Sequence, residues 1–155
     1  MNHTSWNLQN TYLKLPSKLY SKQLPVPVKN PSIIKLNKSL ANELGLRFLL
    51  EEEKNIAVNV LSGNNIPTDT QPLALAYAGH QFGYFTMLGD GRAVLLGEIN
   101  NNENQKFDIQ LKGSGPTPYS RNGDGRATLS SMLREYIISE SIYHLGIPTS
   151  RSLQL

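Results

Sequence analysis

The pentapeptide Gly-Asp-Gly-Arg-Ala occurs twice in this chain, at residues 89–93 and again at residues 123–127. Each copy combines two glycines, which leave backbone N–H groups accessible, with one arginine and one aspartate. Exposed backbone amides beside a cation form a common type of phosphate site. The second copy also precedes a helical pattern, and a helix N-terminus attracts anions. Both copies are therefore candidates for phosphate binding.

Both copies also have a purely conformational interpretation. Gly89-Asp90-Gly91 is typical of a β-hairpin turn between the strand patterns FGYFTML and RAVLLGEI. In the second copy, the aspartate or Thr128 is a helix cap. We favour the turn for the first copy and binding for the second, because the loop GSGPTPYSRNGDG is long and rich in polar groups. The identity covers five residues with unlike flanks, so it does not indicate a structural repeat.

Lys112 and Glu135 form a second candidate constellation. Lys112 ends KFDIQLK, in which apolar and polar residues alternate as in a half-buried strand. Glu135 lies near the middle of the helical pattern RATLSSMLREYIISESIYHLG. A strand lysine paired with a helix glutamate holds phosphates in protein kinases. Each residue could instead be a solvated surface charge, and Glu135 lies at the edge of the apolar stripe.

Other chemistries find little support in the sequence. The three histidines have no metal-ligand spacing, and we expect a structural or loop role for His80. The chain has no cysteine, which excludes disulfides and thiolate metal sites. No nucleophile elbow, Walker loop or strand–GxGxxG–helix unit is present.

Length, composition and charge limit the classes of protein to which this chain can belong. The 155 residues suffice for one ordinary domain, with 39% hydrophobic and 17% charged residues. A net charge of +3 suits an anionic small ligand, whereas its dispersed distribution argues against nucleic-acid binding. The apolar runs are too short to span a membrane, and no secretory signal precedes them. We therefore expect a soluble cytoplasmic protein.

The first half of the chain predicts irregular structure followed by two helices. Residues 1–35 carry four of the nine prolines and should wrap the domain with one or two edge strands, with TYLKLP and PSIIKLN extended. Asn37 is a plausible N-cap of a short helix that ends at Gly45. The segment EEEKNIAVNVLSG predicts a second helix with an acidic first turn, ending at Gly63.

The second half predicts a Gly-turn hairpin, a third strand, the long loop and the main helix. Gly146 should terminate that helix. Its apolar residues at helical spacing predict a buried stripe of Leu129, Leu133, Tyr136 and Ile137. The final segment GIPTSRSLQL alternates like a strand, and it is equally consistent with a point at which a larger protein has been cut.

Two long blocks of this sequence resemble a known family. YAGHQFGYFTMLGDGRAVLLGE and LKGSGPTPYSRNGDGRATLSSMLREYIISESIYHLGIPTSRSL are similar to the signature blocks of the selenoprotein O family, protein adenylyltransferases with a kinase-like fold. The resemblance is dense from Leu73 to Leu155 and looser over residues 1–72. It implies an ATP-dependent enzyme that transfers AMP to Ser, Thr or Tyr hydroxyls of protein substrates. The dispersed charge and the short apolar runs predict no nucleic-acid and no membrane partner.

The resemblance also assigns residues by motif. It implies that Glu135 is the ion-pair partner of Lys112. Nucleotide contacts are implied for Gly89, Gly91, Arg92, Lys112, Asp124 and Gly125. The family's catalytic aspartate and its Mg²⁺ ligands belong to a lobe that should follow Leu155. We therefore expect no catalytic residue and no metal ligand here, and a chain that binds ATP weakly and catalyses nothing alone.

The implied fold is α+β: a protein-kinase-like N-terminal lobe, with an antiparallel sheet, a Gly-rich hairpin and a long αC-type helix. We expect residues 71–155 to form this lobe with half of the nucleotide site, residues 1–70 to form an irregular, partly helical extension, and the C-lobe to be absent. A non-catalytic pseudokinase module and an ordinary protein kinase are the alternative functions.

Overall fold

Five antiparallel strands and three α-helices make up the part of the chain that the computed structural model describes, residues 6–46, 54–81 and 83–155. The α+β class is therefore confirmed. The sheet order is β1-β2-β4-β5, and β3 pairs with β2. The elements are β1 Tyr20–Lys22, α1 Lys38–Glu43, α2 Lys54–Leu61, β2 Leu73–Gln81, β3 Tyr84–Gly89, β4 Ala93–Asn100, β5 Lys106–Lys112 and α3 Leu129–His144.

The hydrophobic core lies on one face of the β4–β5 pair. Ile109 and Leu111 of β5 are buried, whereas Asp108, Gln110 and Lys112 are exposed, as the alternating pattern predicts. Leu96 and Ile99 of β4 contribute to the same core. Apolar residues of the N-terminal segment and of the two short helices with their ends pack with them, including Trp6, Leu8, Leu40, Leu44 and Val60. Lys112 therefore leaves the sheet on the face opposite the core.

The strand β2 was not predicted from the sequence. Its first residues, Leu-Ala-Leu-Ala, favour helix more than strand by intrinsic propensity. The sheet overrides that preference, because Leu73 is paired with β1 on one edge and with β4 on the other. Leu73 and Ala74 are fully buried as a result.

The prediction that Gly89-Asp90-Gly91 forms a hairpin turn is wrong. The hairpin partner of β3 is β2, and Ala76 pairs with Gly89. Further along the same edge, Leu73 pairs with Leu95 of β4. Both Asp90 and Leu75 contribute to the junction, since Asp90 N–H donates to the Leu75 carbonyl at 2.8 Å. Gly89 is thus the last residue of β3, and Asp90-Gly91 begins an irregular connection between two strands that both run antiparallel to β2.

The two short helices agree with their sequence signals where the structure describes them. The Asn37 side chain accepts from Leu40 N–H at 3.1 Å and caps α1, and Gly45 follows with φ +72°. Helix α2 is followed by Gly63 at φ +80°. The predicted acidic first turn at residues 51–53 lies outside the described residues.

Helix α3 begins and ends as predicted, but its packing differs. Thr128, rather than Asp124, is the cap, and its side chain accepts from Ser131 N–H. Gly146 follows the helix with φ +78°. The predicted buried stripe is wrong: Leu129 and Ile137 are 51% and 59% exposed, and none of the α3 side chains, all within the described part, is buried.

Two further expectations are corrected in the irregular segments. TYLKLP is not extended, because Thr11–Lys14 forms a 3-10 turn. The end of the chain forms an isolated bridge between Leu36 and Gln154 instead of a regular strand. The strand β1 fulfils the prediction of an edge strand from the proline-rich segment. Across the described residues, no helix is long and apolar enough to cross a bilayer.

Candidate functional site

The two Gly-Asp-Gly-Arg-Ala segments line a single cleft. This cleft has a volume of about 540 Å³ and lies between the β2–β3 hairpin and the loop that precedes α3. One group of lining residues is glycine and arginine: Gly89, Gly91, Arg92, Arg121, Gly123, Gly125 and Arg126. A second group, on the hairpin and the loop, is apolar or aromatic: Tyr77, Met87, Leu88, Pro118 and Tyr119.

The loop is docked directly on the first pentapeptide. Thr117 Oγ1 donates to the Asp90 carbonyl at 2.6 Å, and Ser120 Oγ donates to the Gly91 carbonyl. A Cβ on Gly89 would lie 2.3 Å from the Tyr119 ring, which only a glycine permits. The glycines of the first pentapeptide are therefore required by this close approach, in addition to any role in ligand binding.

The base of the loop is closed by backbone contacts. Gly115 N–H donates to the Gly125 carbonyl at 3.1 Å. Gly125 has φ +66°, and a Cβ there would lie 1.9 Å from the Gly115 carbonyl oxygen. This contact joins the start of the loop to the second pentapeptide and brings the latter beside the first.

Lys112 and Glu135 meet across the gap between β5 and α3. Lys112 Nζ is 2.5 Å from Glu135 Oε2, and Arg92 lies 3.8 Å from the other carboxylate oxygen. All three side chains are between 39% and 47% exposed. One carboxylate thus holds two cations beside the cleft, and both cations remain accessible to an anionic ligand.

Asp90 has a structural role. Its Oδ2 accepts from Leu75 N–H at 3.0 Å and from the Gln110 amide at 3.3 Å, so the carboxylate turns onto the sheet. Burial raises the pKa of Asp90, and the hydrogen bonds from Leu75 and Gln110 oppose that rise. The side chain fixes the irregular junction between β3 and β4.

The second pentapeptide presents its charges differently. Asp124 Oδ1 accepts from the backbone N–H of Arg126 at 2.9 Å, which folds the segment on itself. The Arg126 guanidinium donates to the carbonyls of Val26 and Gly113 at 3.4–3.5 Å. Arg126 therefore anchors the loop to the proline-rich segment while lining the cleft.

Comparison with known proteins identifies the family. The family model described as Protein adenylyltransferase SelO matches residues 3–155. The chain belongs to the SelO family. Its relatives include proteins named protein nucleotidyltransferase YdiU, from Clostridium botulinum, Lachnoclostridium phytofermentans and Bacillus cytotoxicus, which are 60%, 62% and 60% identical. The matches cover 95–97% of this chain and 30% of each relative. The chain thus spans about 30% of their length.

Membership of the SelO family confirms the resemblance that the sequence blocks carried. The structure brings the residues selected by motif into one region: five of the six nucleotide candidates line the cleft, and Lys112 is joined to it through Glu135 and Arg92. His80 stays outside this group, and its ring packs edge-on against Phe85 of the hairpin. Nucleotide contact by these residues stays a prediction.

Sequence reasoning missed several residues of this SelO-family cleft. The Tyr119 ring that covers Gly89 and the hairpin residues Tyr77 and Met87 were not selected. Tyr77 and Met87 belong to the part of the sheet whose pairing was misassigned, so no signal placed them near the loop. Within the described residues, no group of three His, Asp or Glu side chains is arranged to hold a metal ion.

Proposed function

We propose that this chain supplies the nucleotide-binding part of a protein adenylyltransferase, an enzyme that transfers AMP from ATP to the hydroxyl groups of proteins. In this proposal residues 71–155 are a kinase-like N-terminal lobe, and residues 1–70 are its extension. Support comes from membership of the SelO family and from the relatives' description as protein nucleotidyltransferases. The observation that carries the proposal is the single cleft lined by both pentapeptides.

The lining of the cleft suits a nucleotide. Glycine amides and the side chains of Arg92 and Arg121 provide cationic and hydrogen-bonding groups for a polyphosphate. Tyr77, Met87 and Tyr119 provide apolar surface for a planar base. Lys112 and Arg92, both held by Glu135, add positive charge beside the phosphates.

Charge neutralisation and positioning dominate the catalysis of such transfers. In AMP transfer a hydroxyl oxygen attacks the α-phosphorus, and the bond to the bridging oxygen breaks, which releases pyrophosphate. The cationic groups of this chain would bind the phosphates and orient the α-phosphorus. The proposal assigns no Mg²⁺ ligand to the described residues, because they contain no group of three His, Asp or Glu side chains arranged to hold a metal ion. It also leaves the acceptor of the hydroxyl proton unassigned among these residues.

ATP binding by the 155-residue chain tests the proposal. We expect weak binding, measurable by NMR titration with ATP, with shifts at the cleft glycines. Lys112→Ala should raise the dissociation constant about tenfold, because a charged hydrogen bond from a side chain that is 39% exposed contributes about 1.5 kcal/mol, the low end of its usual range. Lys106→Ala is the matched control, since Lys106 begins the same strand and pairs with Glu98.

If the Lys112→Ala variant binds ATP as tightly as wild type and as the Lys106→Ala control, the placement of the site is contradicted. Absence of ATP binding by a folded wild-type chain would contradict nucleotide binding itself. The group that is transferred can be identified with the longer YdiU relatives. The intact mass of their protein targets, measured by mass spectrometry, distinguishes an added AMP from an added phosphate. We expect the 155-residue chain alone to transfer neither.

A further inference from the structure

Helix α3 carries Glu135, yet hydrophobic burial does not fix its position. The helix lies wholly within the described residues, and none of its side chains is buried. Leu133, Ile137 and Ile138 are exposed on its surface. A helix normally owes its position to an apolar face packed against the core. Other contacts must therefore set how α3 sits against the sheet.

The most buried polar contact of α3 is a two-point ion pair between Glu140 and Arg151. Arg151 Nε and one terminal nitrogen each donate to a Glu140 carboxylate oxygen at 2.8 Å. The side chains are only 14% and 10% exposed. A bidentate guanidinium–carboxylate pair fixes both the distance and the relative orientation of its partners.

Three further groups complete this clamp. The Asn37 amide, whose oxygen caps α1, donates to Glu140 Oε2 at 2.7 Å. The Arg151 guanidinium lies 3.4 Å from the centroid of the Tyr143 ring. A carboxylate oxygen of Glu43, in α1, lies 3.6 Å from a terminal nitrogen of the same guanidinium. The clamp thus joins α3 to α1 and to the final segment of the chain.

The clamp and the Lys112 contact hold opposite sides of the same helix. Glu135 and Glu140 are five residues apart, which separates them by about 140° around the helix axis. Glu135 reaches Lys112 at the end of β5 and Arg92 just before β4. Glu140 reaches Arg151 and Asn37 instead. A rotation or shift of α3 that breaks the clamp therefore also moves Glu135 relative to Lys112.

We propose that Glu140 and Arg151 are positioning residues: they hold α3 in the orientation in which Glu135 pairs with Lys112 beside the cleft. The relevance of that pair to the reaction rests on the proposed function. The coupling itself does not, because it concerns the contact between Glu135 and Lys112. It is therefore testable without a nucleotide.

Zero-length cross-linking of the 155-residue chain tests the coupling. A water-soluble carbodiimide joins an amine to a carboxylate that is in contact with it, and mass spectrometry quantifies the Lys112–Glu135 peptide. The Lys106–Glu98 pair, separated by 3.3 Å, is an internal reference in the same sample. We expect Glu140→Gln and Arg151→Gln to lower the Lys112–Glu135 yield about two- to tenfold relative to that reference.

Tyr143→Phe is the matched control, because it leaves the ring beside Arg151 and should leave the yield unchanged. Circular dichroism establishes that each variant is folded. If the glutamine variants do not fold, the Arg151→Lys variant tests the proposal, because it keeps the positive charge and loses the bidentate geometry. Its Lys112–Glu135 yield should then fall below that of wild type by less than twofold to tenfold. A Lys112–Glu135 cross-linking yield equal to that of wild type in the folded clamp variants would overturn the proposal. If the wild-type chain fails to bind ATP, the proposed function is contradicted, but this coupling is unaffected.

Discussion

Arg121 and Arg126 both line the cleft, but they occupy different environments. Arg126 is directed to the carbonyls of Val26 and Gly113. Arg121 is exposed, and within the described residues its guanidinium has no hydrogen-bond or ion-pair partner. It also adopts φ +57°, an uncommon conformation for a residue with a side chain. An unengaged cation in the cleft is the better candidate for a ligand contact.

We predict that Arg121→Ala weakens ATP binding without destabilising the chain. The dissociation constant should rise about three- to tenfold, because one charge-assisted contact to a phosphate is lost. Arg126→Ala should instead lower the midpoint of thermal unfolding, since it removes the link to the proline-rich segment. Calorimetric titration with ATP and thermal melts separate the two effects. Equal effects of both changes on both readouts would contradict this assignment.

At the scale of elements, the loop between β5 and α3 depends on glycines that permit close backbone approach. Gly125 requires a left-handed φ and leaves no space for a Cβ against Gly115. Gly89 leaves none against Tyr119. These contacts, with the hydroxyls of Thr117 and Ser120, hold the second pentapeptide beside the first.

Gly125→Ala should therefore open the loop base and weaken ATP binding. We expect a loss of stability of about 1–3 kcal/mol, from the unfavourable φ and the steric overlap. Denaturant unfolding and ATP titration measure the two consequences. Gly79→Ala is the control, because Gly79 has no left-handed φ and no atom within 4 Å of its Cβ position. A Gly125→Ala chain with wild-type stability would show that the loop relaxes without cost.

At the scale of the whole molecule, the Glu140–Arg151 clamp makes stability depend on pH. The hydrogen bonds from Arg151 lower the pKa of Glu140, assisted by those from Ser152 and Asn37 and opposed by burial. A carboxyl with a lowered pKa in the folded state stabilises the fold above its ordinary pKa. That contribution is lost as the pH falls through the folded-state pKa. Arg151 and Tyr136 are the titratable groups that interact with Glu140, and Glu43 and Tyr143 act in turn on Arg151.

Glu140→Gln should accordingly lower the free energy of unfolding by about 3 kcal/mol at pH 7, because it leaves Arg151 without its buried partner. The difference between wild type and variant should begin to shrink below the ordinary glutamate pKa of about 4.3, where the unfolded chain takes up the proton. It should be lost as the pH falls through the lowered pKa of Glu140 in the folded state. Urea unfolding at a series of pH values measures this. A difference that stays constant between pH 7 and pH 3 would contradict the role of the carboxylate charge.

Several features of the site could be read from residue types because local chemistry decides them. The alternation of Phe107, Ile109 and Leu111 places Lys112 on the polar face of β5. Thr128 caps α3, and Gly146 follows it with the left-handed φ that its position requires. The pairing of Lys112 with Glu135 rested on the analogy with protein kinases and on the family resemblance, because the strand and helix patterns alone left each side chain open to being a solvated charge.

Other features depended on contacts between distant segments. The Leu-Ala repeat of β2 has no strand signal, and it is a strand because β1 and β4 flank Leu73. With β2 unrecognised, Gly89-Asp90-Gly91 was assigned as a turn, although Asp90 binds Leu75 in the neighbouring strand. The periodicity of α3 predicted burial that the described residues do not provide.

The sequence by itself determined the family, the α+β class and the residue types available for anion binding, because these lie in long blocks and local patterns. Only the tertiary structure decided that both Gly-Asp-Gly-Arg-Ala segments line one cleft. It also decided that Arg126 anchors the loop, Arg121 is unengaged and Glu140 is clamped by Arg151. Such arrangements depend on which backbone segments approach each other, and residue type and spacing do not specify that.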